Sequence, residues 1–311
     1  PSIPVLGAVM FLLGVAIGGL DVSMNIAAVS VTRQLDRPLM PTFHAAYSFG
    51  ALAGGLVAGW LVALAWTPLR HFTVVAVVGV AVVLTVARSI PGTRPDRKTH
   101  RRHEAGGQHL SPFRRPAMWL LAAIMLGSAI AEGANGDWSA LFLVHQRGIG
   151  ESAATVGFAC FNIAMAAARL LGERWERRWG PYRLLGACAA VAAIGMFTVV
   201  LVPWVPADYA GFALVGIGLA FCFPVSISLA GAAGRRKDGT GGEREIGFVT
   251  SIAYTGFLAG PPAIGAIAQA TDLGFALGVV GFVVTLIVPM VVLSSRTARR
   301  EPAPVKVTAA G

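Results

Sequence analysis

Charge is what this chain has least of. Only 13% of its 311 residues are Asp, Glu, Lys or Arg, against roughly 25% in an ordinary soluble domain, so a water-facing surface cannot be built and a soluble globular protein is excluded. Cysteine is scarce as well. Cys160, Cys188 and Cys222 lie singly in three separate apolar segments, without the paired spacing of a disulfide frame or a metal site, and read as small packing residues. No HExxH, GxSxG or Cys/His pairing occurs and the six histidines are scattered, which leaves a membrane-embedded enzyme without a nucleophile or a metal set. The chain is therefore read as no enzyme, with no cofactor and no metal. It also opens without a charged n-region or a small-residue cleavage site, so targeting is expected to come from the apolar segments themselves.

Apolar residues fill the space that charge leaves. They make up 55% of the chain, which contains 38 glycines and has a mean hydropathy of +0.69. Runs of about 20 apolar residues, enough to cross a hydrocarbon core, can be marked at 5–31, 43–66, 71–90, 117–144, 152–172, 183–203, 207–231, 246–270 and 273–295. The expected fold class is all-α, a polytopic membrane protein of nine transmembrane helices.

A net charge of +10 raises the question of nucleic acid, but the placement of the bases answers it. Nearly all of them follow the odd-numbered spans: Arg33 and Arg37 after the first, a run from Arg94 to Arg115 after the third, and similar groups after the fifth, seventh and ninth. The connections after the even-numbered spans carry only Arg70 and Arg147. This alternation is the positive-inside rule, so no nucleic-acid partner is expected. It predicts a multi-pass protein of the cytoplasmic membrane with its C-terminus in the cytoplasm. Nine crossings then start the chain outside, directly in an apolar helix, and the expectation is a remainder of a longer chain. Residues 1–90 read as a partial N-terminal bundle of three spans, 91–116 as a basic cytoplasmic linker, 117–295 as a six-helix C-terminal bundle and 296–311 as a cytoplasmic tail. The bases at 94–115 either serve topology alone or also contact anionic lipid. A monomer is expected.

An internal repeat bears on the division. Gly50-Ala-Leu-Ala-Gly54-Gly-Leu-Val-Ala-Gly59 in the second span aligns with Gly256-Phe-Leu-Ala-Gly260-Pro-Pro-Ala-Ile-Gly265 in the eighth. Small-xxx-small packing accounts for such runs by itself. Six spans and the same crossing direction separate the two, however, as two parallel six-helix halves require. The second span is then the fifth of its half, and a twelve-helix parent lacking its first three helices agrees with the outside start.

The stretches Gly18-Gly19-Leu20-Asp21-Val22-Ser23-Met24-Asn25, Arg37-Pro38-Leu39-Met40 and Phe43-His44-Ala45-Ala46-Tyr47-Ser48-Phe49-Gly50 resemble helices four and five of the major facilitator superfamily. Within it the likeness is to the MosC-like branch, named for a rhizopine-transport protein and related to the fucose-permease group. Gly172-Glu173-Arg174 with Arg178-Trp179-Gly180 is similar to the superfamily's GxxxDRxG loop, with Glu173 where Asp is more common and a longer spacing to Gly180. Thr32 stands where the family usually has Glu, and the second span lacks the proline of the GPxxGG antiporter signature. The resemblance covers nearly the whole chain. It implies helices 4–12 of a twelve-helix transporter that works by alternating access.

Several residues could carry that work. Gly14, Gly18, Asp21 and Asn25 are spaced 4-3-4 and share one helical stripe. A carboxylate at bilayer depth is costly and marks function by default, and about 1.5 Å per residue puts Asp21 near the midplane. Ser128, Glu132, Asn135 and Ser139 repeat the spacing in the fourth span. Asp21 and Glu132 are the proton-coupling candidates. Asn25, Asn135, Trp138, Asn162 and Tyr254 are candidates for a substrate cavity, with helix packing or an interfacial anchor as the plainer roles. His44 is a proton relay or a local cap, and Arg169 with Glu173 suggests an i,i+4 ion pair at the cytoplasmic end, beside the loop motif of Arg174 and Gly180. Pro224, Pro261 and Pro262 are hinge candidates, because each removes a backbone donor.

Together these features predict a secondary transporter of a small polar solute, sugar- or cyclitol-like by resemblance, coupled to protons. A drug or metabolite efflux antiporter of the same superfamily, or a non-transporting scaffold or enzyme, is the alternative.

Overall fold

A computed structural model describes residues 3–87, 111–235 and 241–300. The described residues are almost wholly helical: α1 (Ile3–Leu35), α2 (Met40–Ala63), α3 (Pro68–Ala87), α4 (Pro116–Arg147), α5 (Glu151–Trp179), α6 (Pro181–Leu201), α7 (Val205–Leu219), α8 (Cys222–Ala233), α9 (Glu243–Ala270) and α10 (Leu273–Arg300). Most of the predicted linker and of the tail lies outside the described residues, and with it most of the basic stretch at 94–115. Eight helical stretches among the described residues are long and apolar enough to cross a membrane, with Val205–Ala233 counted as one. The remaining predicted span, 43–66, is the 24-residue helix α2.

Local chemistry sets the ends. α4 and α6 each begin on a proline in the first turn, where the missing N–H costs nothing and φ is already helical. α4 stops at Gly148, which turns left-handed (φ 67°) and returns its N–H to Val144. Gly180 divides α5 from α6 with φ 75°, a conformation that favours glycine.

The seventh predicted span departs from one continuous helix. It is α7 followed by α8, with Ala220 and Phe221 between them. Pro224 supplies the reason: it has no N–H to return to the carbonyl four residues back, and its ring crowds that carbonyl. Pro261 and Pro262 lie inside an unbroken α9, and a further interior proline, Pro289, lies in α10.

Contacts gather the chain into two compact units, one of Pro1–Ala46 with Pro112–Gly311 and the other of Tyr47–Ser111. In the first, α4 packs along α9 and α10, α7 along α5 and α6, and α10 along α6, while α1 touches α8 and α9. Leu121, Met125, Leu184, Met196, Phe212 and Phe221 are fully buried in its core. Without a hydrophobic force between helices in lipid, close packing carries association. A Cβ at Gly195 of α6 would lie 2.6 Å from the carbonyl oxygen of Gly211 in α7, so the two backbones meet directly. In the second unit α3 is apolar on all sides and exposes Leu69, Phe72, Val77 and Val80, as hydrocarbon allows.

Candidate functional site

Asp21 is held from two sides. From its own helix, Asn25 Nδ2 donates to Asp21 Oδ2 at 2.9 Å and to the Asp21 carbonyl at 2.9 Å, the contact that 4-residue spacing makes available. From α9, the Tyr254 hydroxyl donates to the same carboxylate oxygen. Asn25 is buried, and Asp21 and Tyr254 are half-buried. The carboxylate therefore has two side-chain donors, and charge-assisted bonds of this kind are stronger than neutral ones. Toward the start of α1 on the same stripe, nothing among the described residues lies within 4 Å of a Cβ built on Gly18 or Gly14.

From Asp21 toward the basic end, the contacts continue. Val29 is buried and lies at Gly231 of α8. Arg33 donates to the carbonyls of Gly231 and of Gly241, the latter at 2.8 Å, and Arg115 donates to Ala233 at 2.9 Å. Two guanidiniums thus occupy orphan carbonyls at the C-terminal end of α8, where positive charge also complements the helix dipole. Arg37 binds Glu173 of α5 through Nε at 2.7 Å and Nη2 at 2.6 Å, and Pro41 lies against Gly172. The i,i+4 partner of Glu173 is Arg177, at 3.6 Å.

Arg169, expected to pair with Glu173, also reaches the broken span. It is buried and donates Nε to the carbonyl of Ala220 at 3.2 Å. Ala220 is four residues before Pro224, so its carbonyl is the one that the proline leaves without a helical donor. The arginine fills the gap. Its charge also acts on Glu132 of α4 and on His44 of α2, which places these three candidates in one electrostatic neighbourhood.

The other candidates are more dispersed. Asn135 donates to Ala131 at 2.7 Å and its Oδ1 is buried without a partner among the described residues; the indole N–H of Trp138 is buried likewise, with the ring packed at Gly265 of α9. Asn162 bonds its own helix at Phe158, 2.9 Å away. Arg174 is exposed, and Gly180 forms the α5–α6 turn. Among the described residues no group of three His, Cys, Asp or Glu is placed to hold a metal.

One buried constellation has no counterpart in the sequence reading. Asp208, wholly buried in the first turn of α7, receives Arg147 in bidentate fashion at 2.8 and 3.1 Å; Arg147 also donates to the carbonyls of Val199 and Val202 and lies over the Phe142 ring. It ties together the ends of α4, α6 and α7 opposite the basic end. The available signal was the pair of charges at the rims of two spans.

Residues 1–242 match the family model described as Major Facilitator Superfamily. The chain belongs to this superfamily. A transporter of Sinorhizobium fredii, y4wD, is 33% identical over 92% of this chain and 74% of its own length. An MFS-type transporter of Yersinia pestis is 34% identical over 87% and 67% respectively. The membrane protein MosC of Rhizobium meliloti is 29% identical over 86% of this chain and 62% of its own length. The fold is that of the Escherichia coli fucose:proton symporter, with a TM-score of 0.62 at 16% identity over 85% of this chain and 73% of that one. The chain is thus a multi-pass membrane transporter, and the relatives from Sinorhizobium fredii and Yersinia pestis are transporters rather than enzymes.

Proposed function

We propose that this transporter moves a small polar solute of the sugar or cyclitol class across the bacterial cytoplasmic membrane by alternating access, coupled to protons, with its basic end in the cytoplasm. The observation that carries the reading is the Asp21 carboxylate, held on α1 by Asn25 and reached from α9 by Tyr254. Residues 1–90 belong to one bundle and 117–295 to the other in this reading, so the carboxylate is shared between the two parts that must separate. A charged group between them favours the joined state; a proton on Asp21 weakens both charge-assisted bonds, and water access from one side then exchanges for access from the other.

Closure at the basic end fits one of the two states. Arg33, Arg37 and Pro41 bring the first part against α8, the following turn and α5, whereas Gly18 and Gly14 stand clear above Asp21. This is the cytoplasm-closed arrangement. Glu132, on which the Arg169 charge acts, is the second proton-coupling group, and Asn135 Oδ1 and Trp138 N–H, without partners among the described residues, are polar positions for a hydroxylated solute. The substrate class follows the MosC-like resemblance and the fucose:proton symporter that shares the fold.

Proteoliposomes test this. L-fucose and myo-inositol are offered as labelled probes, and uphill accumulation driven by a pH gradient is compared with counterflow, which needs no coupling. Asp21→Asn and Glu132→Gln are expected to abolish accumulation while sparing part of the counterflow. Undiminished proton-driven accumulation in both variants would overturn the assignment.

A further inference from the structure

The basic end of α5 carries a feature beyond the Arg37–Glu173 closing contact. A cleft of about 450 Å³ is lined by Leu170, Glu173, Arg174, Arg177 and Arg178. Three guanidiniums face one carboxylate there. Glu173 is already bound to Arg37 at 2.6 Å, with Arg177 a looser partner at 3.6 Å, and Arg174 and Arg178 form no ion pair among the described residues. The cleft is therefore positive.

Depth says what kind of anion reaches it. α5 has 29 residues, about 43 Å at 1.5 Å each, and exceeds a hydrocarbon core of about 30 Å. Counting roughly 20 residues from Glu151 brings Leu170 and Leu171 to the edge of the hydrocarbon. They are 55% and 46% exposed, as an acyl-contacting surface must be. Everything from Glu173 to Trp179 then lies at headgroup level, where Trp175 and Trp179 stack with centroids 6.0 Å apart, the usual station for indoles. The apolar pair thus stands on the acyl side, and the arginines and tryptophans lie together at headgroup level.

We infer that this cleft binds the phosphate of an anionic phospholipid, with the acyl chain on Leu170 and Leu171. Arg174 and Arg178 hold the phosphate oxygens through their planar forks, and Arg177 turns to it from Glu173. That exchange leaves Glu173 its tighter partner, Arg37, so lipid binding preserves the contact between α1 and α5. A soluble phosphate would meet the arginines but not the leucines. The inference depends on helix length and side-chain position and is independent of the solute carried.

Delipidated protein of the full 311 residues is titrated with phosphatidylglycerol, phosphatidylcholine or inorganic phosphate, and bound species are counted by native mass spectrometry. Phosphatidylglycerol is expected to bind about thirtyfold tighter than phosphatidylcholine, on the scale of two arginines beside a leaflet. Arg174→Gln with Arg178→Gln should remove most of that preference, and Arg296→Gln, at the basic end of α10, should keep it. Each single variant is expected to lose it severalfold, which serves if the double variant does not fold. An unchanged preference in the arginine variants overturns the inference. So does displacement of phosphatidylglycerol by an equal concentration of inorganic phosphate, which would make this a soluble-anion site.

Discussion

At the scale of single residues, the strongest constraint is the buried ion pair far from the basic end. Asp208 has no exposed surface and Arg147 is its only side-chain donor among the described residues. Removing one partner of such a pair leaves an uncompensated charge, at a cost of about 3–5 kcal/mol, whereas replacing both by apolar residues is often neutral. Arg147→Met is therefore expected to lower the thermal unfolding midpoint sharply, and Arg147→Met with Asp208→Leu to recover most of the loss; a double variant as unstable as the single one would count against this account. Tyr254→Phe is a gentler change. It deletes one bond to a half-buried carboxylate that keeps Asn25, and should cost about 1 kcal/mol, read in the same unfolding assay. These two sites were not equally legible. Asp21 and Asn25 are four apart, so a helix alone predicts their contact. Tyr254 and Asp21, or Arg147 and Asp208, meet only after distant helices pack, and no spacing rule encodes that.

Among the elements, the most instructive is the broken span formed by α7 and α8. Hydropathy marks 207–231 as continuous, because a proline changes a helix without changing its affinity for lipid. The carbonyl that Pro224 strands at Ala220 is taken by Arg169, so an arginine that looked like half of a surface ion pair is part of a helix break in another element. Pro224→Ala restores an N–H four residues after Ala220 and competes with Arg169 for it. We expect the variant to be at least as stable as the parent and slower in counterflow, since a straightened span is less able to bend. Faster counterflow, or a lower unfolding midpoint, would show that the break is a packing detail rather than a hinge. Glycine offers a second contrast at this scale. Gly195 meets the Gly211 carbonyl directly, while nothing lies within 4 Å of a Cβ at Gly136. Gly195→Ala should destabilise the α6–α7 contact, and Gly136→Ala should stabilise α4 by up to about 1 kcal/mol through reduced chain entropy, both read as shifts in the unfolding midpoint. The sequence reading placed both as undifferentiated members of a Gly-rich membrane chain, since glycine content reports that helices approach closely without saying where.

For the molecule as a whole, the conformational state is set by which side of Asp21 is open. The stripe Gly14, Gly18, Asp21 and Asn25 lies on one face of α1, and that face meets α9 at Asp21. Gly18 is one turn above on the same face, and among the described residues nothing lies within 4 Å of a Cβ built there, while Val29, two turns below, is 4% exposed. A thiol at position 18 should thus face the space leading away from the basic end, and a thiol at position 29 should be sealed beneath the Arg33 contacts. In cells, with Cys160, Cys188 and Cys222 replaced by Ala, Gly18→Cys is expected to react with a membrane-impermeant maleimide added outside, and Val29→Cys to resist it. Because the reagent cannot cross the bilayer, the result reads orientation and conformation together. Reaction at 18 from outside requires both that the basic end is cytoplasmic and that the molecule is closed there. If position 18 is protected in cells but labelled in inverted vesicles, the orientation is reversed; if both positions react alike from one side, α1 does not form the closure. Adding Arg37→Ala with Arg33→Ala should then raise the reactivity of Val29→Cys in inverted vesicles, since those two side chains make the contacts that hold the end of α1 against Glu173, Gly231 and Gly241.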